Sequence, residues 1–207
     1  MILRLAAGLA LVLGFGGFGG YLTLMGKTPF ASEETRHLRE MKDRTGVPAT
    51  YERMTLADFA ALPRSATLAE FSGIERRGVV IEGFLQRLIR ASDGDVHFEV
   101  VESIPVDNKE PYVTCEVTTA AGTVRRWSWQ EMEWGLRPWR SPAMDIWNTQ
   151  PRRARISGWL LDDFQHEKPP VSPGTGRDPR VSAWEIHPVT AIEVWNEGTS
   201  RWEPLAR

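Results

Sequence analysis

The sequence predicts a mainly β protein: one small five-stranded barrel with a short helical insert, preceded by an N-terminal hydrophobic helix. Three observations predict it. Apolar and polar residues alternate over several segments after residue 77, the period-two pattern of half-buried strands. Turn residues punctuate those segments, most densely in Lys168-Pro169-Pro170-Val171-Ser172-Pro173-Gly174-Thr175-Gly176. At the other end, no charged residue occurs between Arg4 and Lys27.

That uncharged run, Leu5 to Gly26, is about 22 residues, enough to cross a hydrocarbon core of about 30 Å as a helix. Its glycines weaken helix propensity, which membrane helices tolerate. It is apolar on every face and terminal, so it reads as an anchor or export signal and not as a core helix. The flank Lys27-Thr28-Pro29-Phe30-Ala31 matches a small-residue cleavage site poorly, and no cysteine follows that would carry a lipid anchor. An uncleaved anchor is therefore expected, with secretion after cleavage as the alternative.

Lys27, Arg36, Arg39, Lys42 and Arg44 follow the run, against Arg4 before it, which taken alone favours a cytoplasmic C-terminal side. The short N-terminal tail reads instead as an export signal. The expected location is the inner membrane, with the domain in the periplasm or exterior. The expected domains are an anchor or signal over 1–26, a juxtamembrane spacer with short helices over 27–76, and the barrel over 77–207.

Within the spacer, Ser32 to Arg44 reads as a short helix with Ser32 as its N-cap. Thr55 to Leu62 reads as another, capped by Thr55 and ended by Pro63. The β-branched and aromatic run Gly78 to Arg90 is the first barrel strand, and Gly83 inside it suggests a bulge or bend. Ser92-Asp93-Gly94 is a tight turn. From Asp95 to Glu102, Val96, Phe98 and Val100 point one way, and Asp95, His97 and Glu99 the other. From Tyr112 to Val117, Val113, Cys115 and Val117 oppose Tyr112, Thr114 and Glu116.

Five of the nine tryptophans fall between Trp127 and Trp147, an insert with a helix expected around Ser128 to Trp134. Arg153 to Leu161 and Ala183 to Trp195 complete the five strands. In the latter, Trp184 and Ile186 should face the core and Glu185 and His187 the opposite side. Pro188 cannot donate a ladder hydrogen bond, so the pairing should break there. This order, with its helix between the third and fourth strands, is that of an OB-like barrel.

Three local patterns carry a resemblance: Asp93-Gly94-Asp95-Val96-His97, then Ile156-Ser157-Gly158-Trp159-Leu160-Leu161-Asp162-Asp163-Phe164-Gln165-His166, then Trp184-Glu185-Ile186-His187-Pro188-Val189. Over residues 77–195 the chain resembles bacterial exported or membrane-tethered proteins with an OB-like domain and no assigned activity. The resemblance implies a fold and no catalytic residues. Asp93-Gly94-Asp95 also resembles the acidic turn of thermonuclease-type OB enzymes, whose further arginines and carboxylates this sequence does not place.

Two polar sets are candidate sites. The first is His97, Glu116, His166, Glu185 and His187, with Asp95 and Asp162 nearby. A hairpin of the second and third strands makes His97 and Glu116 neighbours, and a spacing of two puts Glu185 and His187 on one face. His97, Glu116, His166 and His187 are candidate ligands for a divalent metal, although no standard ligand spacing occurs. Hydrogen bonding of loops to the barrel rim is the structural alternative. The second set is aromatic and basic: Arg125, Arg126, Arg137, Arg140, Arg152, Arg153 and Arg155 with Trp127, Trp129, Trp134, Trp139, Trp147 and Trp159. Trp127, Trp129 and Arg126 are its candidate ligand contacts. OB barrels bind single strands by stacking bases on aromatics in a basic groove, whereas here the arginines can equally cover the rings.

A net charge of -2 gives no global attraction to nucleic acid. One cysteine, Cys115, excludes an internal disulfide and a cysteine zinc site. No catalytic motif is complete. The expectation is a membrane-tethered extracytoplasmic binding module for a protein, peptide or glycan, with no cofactor. The alternatives are a metal-dependent hydrolase, such as a nuclease, and single-stranded nucleic-acid binding.

Overall fold

The protein is described by a computed structural model over residues 31–64, 67–90, 95–105, 110–118, 127–137, 151–166 and 179–205. The N-terminal run, the Ser92-Asp93-Gly94 turn, the second half of the tryptophan-rich insert and the proline- and glycine-rich loop lie outside these residues. No helix among the described residues is long and apolar enough to cross a membrane.

Helix α1 (Glu33–Lys42) begins as the sequence predicts, with Ser32 Oγ accepting from the Thr35 N–H at 3.1 Å. It falls in a compact unit that ends at Met41, and the chain from Lys42 onward forms a second unit. Met54, Leu56, Phe59 and Phe71, which follow Lys42, belong to the hydrophobic core of that second unit. A two-residue strand β1 (Glu52–Arg53) escaped the sequence reading and runs parallel to the first barrel strand. Helix α2 (Leu56–Ala60) carries a reciprocal capping box between Thr55 and Asp58. Helix α3 (Leu68–Ile74) was also missed, and Glu70 Oε2 accepts from the Thr67 N–H at 2.7 Å at its start.

Five strands close the barrel: β2 (Gly78–Arg90), β3 (Val96–Val101), β4 (Val113–Val117), β5 (Ala154–Asp162) and β6 (Trp184–Asn196). Their neighbour order is β2-β3-β4-β6-β5, and β5 returns to pair with β2. All these pairings are antiparallel except β4 with β6. A last strand, β7 (Arg201–Pro204), pairs with the end of β6.

Strand β2 is long because it serves two neighbours. Gly78 to Gly83 pair with β5, and Phe84 onward pairs with β3. Gly83 marks the exchange, where a Cβ would lie 2.2 Å from the Val101 carbonyl oxygen. That close approach excludes any side chain. The bulge expected at Gly83 lies further on, between Leu85 and Arg87, at the buried Gln86.

The alternation places the core as expected. Val96, Phe98, Val100, Val113, Cys115, Val117, Ala154, Ile156, Leu160, Trp184 and Ile186 all belong to it. Helix α4 (Trp129–Leu136) sits between β4 and β5 in sequence, capped by Ser128 with Glu131, and sends Met132 and Leu136 into the same core.

Candidate functional site

The parallel pairing of β4 with β6 sets Cys115 opposite Ile186. Both face the core, so the flanking Glu116, Glu185 and His187 emerge together on the outer face. The β3–β4 hairpin adds His97 directly opposite Glu116. Three strands thus deliver ionisable side chains to one spot, at the residues the sequence singles out.

This outer face is buried. Glu116 and Glu185 are 1% exposed and His187 0%. His97 Nε2 lies 2.5 Å from Glu116 Oε1, and His187 Nδ1 lies 2.9 Å from Glu116 Oε2 and 3.1 Å from Glu185 Oε1. The other imidazole nitrogen, Nε2, pairs with Thr118 Oγ1 at 2.8 Å. The nearest metal-ligating atoms of Asp95, Glu116 and His187 all lie within 4.8 Å of one another.

Cations that the sequence did not assign to the site surround it. Lys42 Nζ lies 2.8 Å from Asp163 Oδ2 and acts electrostatically on Glu185 and Glu116 as well. Arg180 Nη1 stands 4.0 Å from Glu185 Oε2. Arg44 donates to the carbonyls of Glu75, Leu160 and His187 at 2.7, 3.1 and 3.1 Å. The expected break at Pro188 is present. The β5–β6 register shifts between Gly158 and Leu160, and a Cβ on Gly158 would come within 2.5 Å of the Pro188 carbonyl oxygen.

Burial alone would push each of these groups toward its neutral form. Burial raises Glu116, but the His187 charge, the closeness of that imidazole and the bond from His97 outweigh it and hold the carboxyl well below its usual range. Burial lowers His187, but the charges of Glu116 and Glu185 and their close approach win and lift it to about 10. His97 is likewise raised, against burial, by the bond to Glu116. The Glu116–His187 pair is therefore ionised at neutral pH.

Its contribution to stability is complete only between the ordinary values of the two groups, 4.5 and 6.5. Below 4.5 the unfolded glutamate takes up a proton that the folded one refuses. Above 6.5 the unfolded histidine loses a proton that the folded one keeps until about 10. The urea midpoint is expected to peak between these limits and fall on both sides. In His187→Gln the decline on the alkaline side should be smaller, which denaturation across about pH 5 to 10 measures.

The remaining sequence candidates fare unequally. Among the described residues His166 closes a single 3-10 turn (Phe164–His166), and its side chain lies outside them, as does Arg126. His187 takes its carboxylate partners from Glu116 and Glu185, and the Asp162 N–H donates to Glu75 Oε1 at 3.1 Å. Trp127 is buried in the core. Trp129 donates to Glu133 Oε2 at 3.1 Å, with the Arg90 guanidinium 4.7 Å from its ring centroid. Arg155 stands 4.2 Å from the Trp202 ring centroid and Arg44 4.9 Å from that of Trp159. Arg153 pairs with Glu82 and lies over Trp195 and Trp202. Arginines thus cover the indoles of Trp129, Trp159, Trp195 and Trp202, whereas Trp134 is 67% exposed.

Thr118 was the missed contact with a signal in the sequence, since it follows Glu116 at a spacing of two on the same face. Lys42 and Arg180 had none, because their approach depends on packing between segments distant in sequence.

No protein-family model matches the chain, and no curated protein matches it in sequence.

Proposed function

We propose that the chain is a membrane-tethered, extracytoplasmic binding module of the OB-like type, whose ligand is held at the Asp95–His97–Glu116–Glu185–His187 cluster. One observation carries the reading: three strands bring ionisable side chains together with Glu116, Glu185 and His187 almost wholly out of water. Desolvating such charges costs several kcal/mol each, in rough terms. Groups perturbed in this way concentrate at functional sites. His97, with a side chain 24% exposed, and the half-buried Asp95 form the side of the cluster a ligand can reach. Support for the OB-like type comes from the five-strand order, the one parallel contact and the helix between β4 and β5.

The arginine-covered indoles favour this cluster over stacking of single-stranded nucleic acid on the tryptophans. The tether rests on the uncharged run before Lys27.

Full-length protein in detergent should show a rise in Tm with at least one of four probes: a divalent cation, inorganic phosphate, a basic peptide or a short glycan. His97→Ala should abolish the rise, and a single-stranded oligothymidylate should produce none. A rise that survives His97→Ala, or one produced by the oligothymidylate alone and weakened by salt, defeats the reading. In spheroplasts the chain should be in the membrane fraction and open to external protease; a protected chain defeats the extracytoplasmic placement.

A further inference from the structure

We propose that the cluster is a binding site for one divalent transition-metal ion, held by His187 Nδ1 and the carboxylates of Glu116 and Asp95. This rests on the reading of the cluster as the ligand site and names the ligand. The spacing is the starting point. Two atoms each about 2.1 Å from one ion lie about 3.0 Å apart at right angles and about 3.4 Å apart at the tetrahedral angle. His187 Nδ1 lies 2.9 Å from Glu116 Oε2, and one ligating atom each of Asp95, Glu116 and His187 lie within 4.8 Å of one another.

The second observation concerns what joins these atoms. Glu116 Oε2 is fully buried and accepts no well-directed hydrogen bond, although an imidazole nitrogen is this close. The bond from Nδ1 is directed at Glu185 instead. Glu185 Oε2 is likewise buried without a hydrogen bond, with Arg180 Nη1 at 4.0 Å. Buried carboxylate oxygens rarely go without a donor, and an ion beside Glu116 Oε2 removes its deficit.

The surroundings suit an ion. Thr118 Oγ1 pairs with Nε2 of His187, which fixes the ring and leaves Nδ1 turned toward the carboxylates; the ion takes the place of the proton that Nδ1 shares with Glu185, and that proton leaves to solvent. His97 holds the other oxygen of Glu116 and so orients that carboxylate. One imidazole with carboxylates, and no thiolate, selects ions such as zinc or manganese over calcium. Cys115 is excluded because it points into the core. The partly exposed rim at Asp95 and His97 leaves a coordination position open to water or to a ligand group.

The test uses the full-length protein in detergent, stripped with chelator and titrated separately with Zn2+ and Mn2+. Bound metal is measured by elemental analysis and Tm by circular dichroism. One ion per chain is expected, with Tm rising as free metal rises. Asp95→Asn, a change at the half-buried rim, should keep the fold and weaken binding by at least tenfold. Glu193→Gln, on the far part of β6, should bind as the wild type does. Manganese paramagnetic resonance gives a readout independent of stability: a nitrogen coupling present in the wild type and lost in His187→Gln supports the assignment. Substoichiometric metal, an unmoved Tm, or wild-type affinity in Asp95→Asn overturns it. A basic peptide or phosphate bound in the presence of chelator and lost in His97→Ala overturns the metal while leaving the binding module standing.

Discussion

Replacing His187 by alanine is expected to destabilise the protein by about 3–5 kcal/mol, the usual cost of removing one partner from a buried ion pair. The imidazole is fully buried, and its Nδ1 faces Glu116 and Glu185 at 2.9 and 3.1 Å. Without it, two carboxylates that are 1% exposed lose the cation they share, and Glu116 keeps only His97. Lys42 is engaged by Asp163 at 2.8 Å and Arg180 stands 4.0 Å from Glu185 Oε2, so neither replaces it at the same distance. The effect exceeds the 1–2 kcal/mol or so that a single buried hydrogen bond would cost.

The origin of the effect can be separated from simple cavity formation. In Glu116→Gln/His187→Ala the carboxylate charge is gone along with the imidazole, so part of the penalty disappears. Urea titration of both single variants and the double variant should give a coupling of about 1–3 kcal/mol in favour of the double. Additive losses would mean that the imidazole acts by filling space and not by its charge.

The sequence shows the barrel well because period-two alternation is a local property. Val96, Phe98, Val113, Cys115, Trp184 and Ile186 reach the core that alternation assigns to them. The same argument finds the site: His97 faces Glu116 through a hairpin, and Glu185 and His187 share a face through their spacing.

Alternation does not show what lies over that face. The strand predicts that Glu185 and His187 point away from the core, as they do, but the cover brings Lys42, Arg44, Asp163 and Arg180 from separate stretches of chain. Such coverage is set by tertiary packing, which leaves no periodic trace. Short elements escape for a related reason. Strand β1 has only two residues, Glu52 and Arg53, both exposed, and it forms because β2 offers it an edge. Helix α3 carries a single buried residue, Phe71, and its start is marked only by the Thr67–Glu70 box.

Trp184→Ala is expected to cost about 3–5 kcal/mol, from reduced burial and the cavity left behind. Trp184 opens β6 at 1% exposure, on the core side of the strand whose next residues are Glu185 and His187. Phe71 of α3 meets its indole edge-on at 5.9 Å, and the indole N–H donates to the Pro63 carbonyl at 2.7 Å. Both interactions come from the segment before β2. The indole therefore fastens that segment to the barrel as well as filling the core.

Trp184→Phe retains most of the apolar area but removes the donor, so about 1 kcal/mol of its deficit should reflect the Pro63 bond. The effect should extend to dynamics. In Trp184→Ala, hydrogen exchange at the amides of α3, Phe71 and Glu75 among them, should accelerate more than at the β2–β3 ladder, because the indole edge is what holds α3 down. Equal acceleration in both places would mean that the indole supports the barrel as a whole and has no special part in docking α3. If His187→Ala and Trp184→Ala prove comparably destabilising, both faces of β6 carry the fold, as burial from Trp184 to Val189 requires.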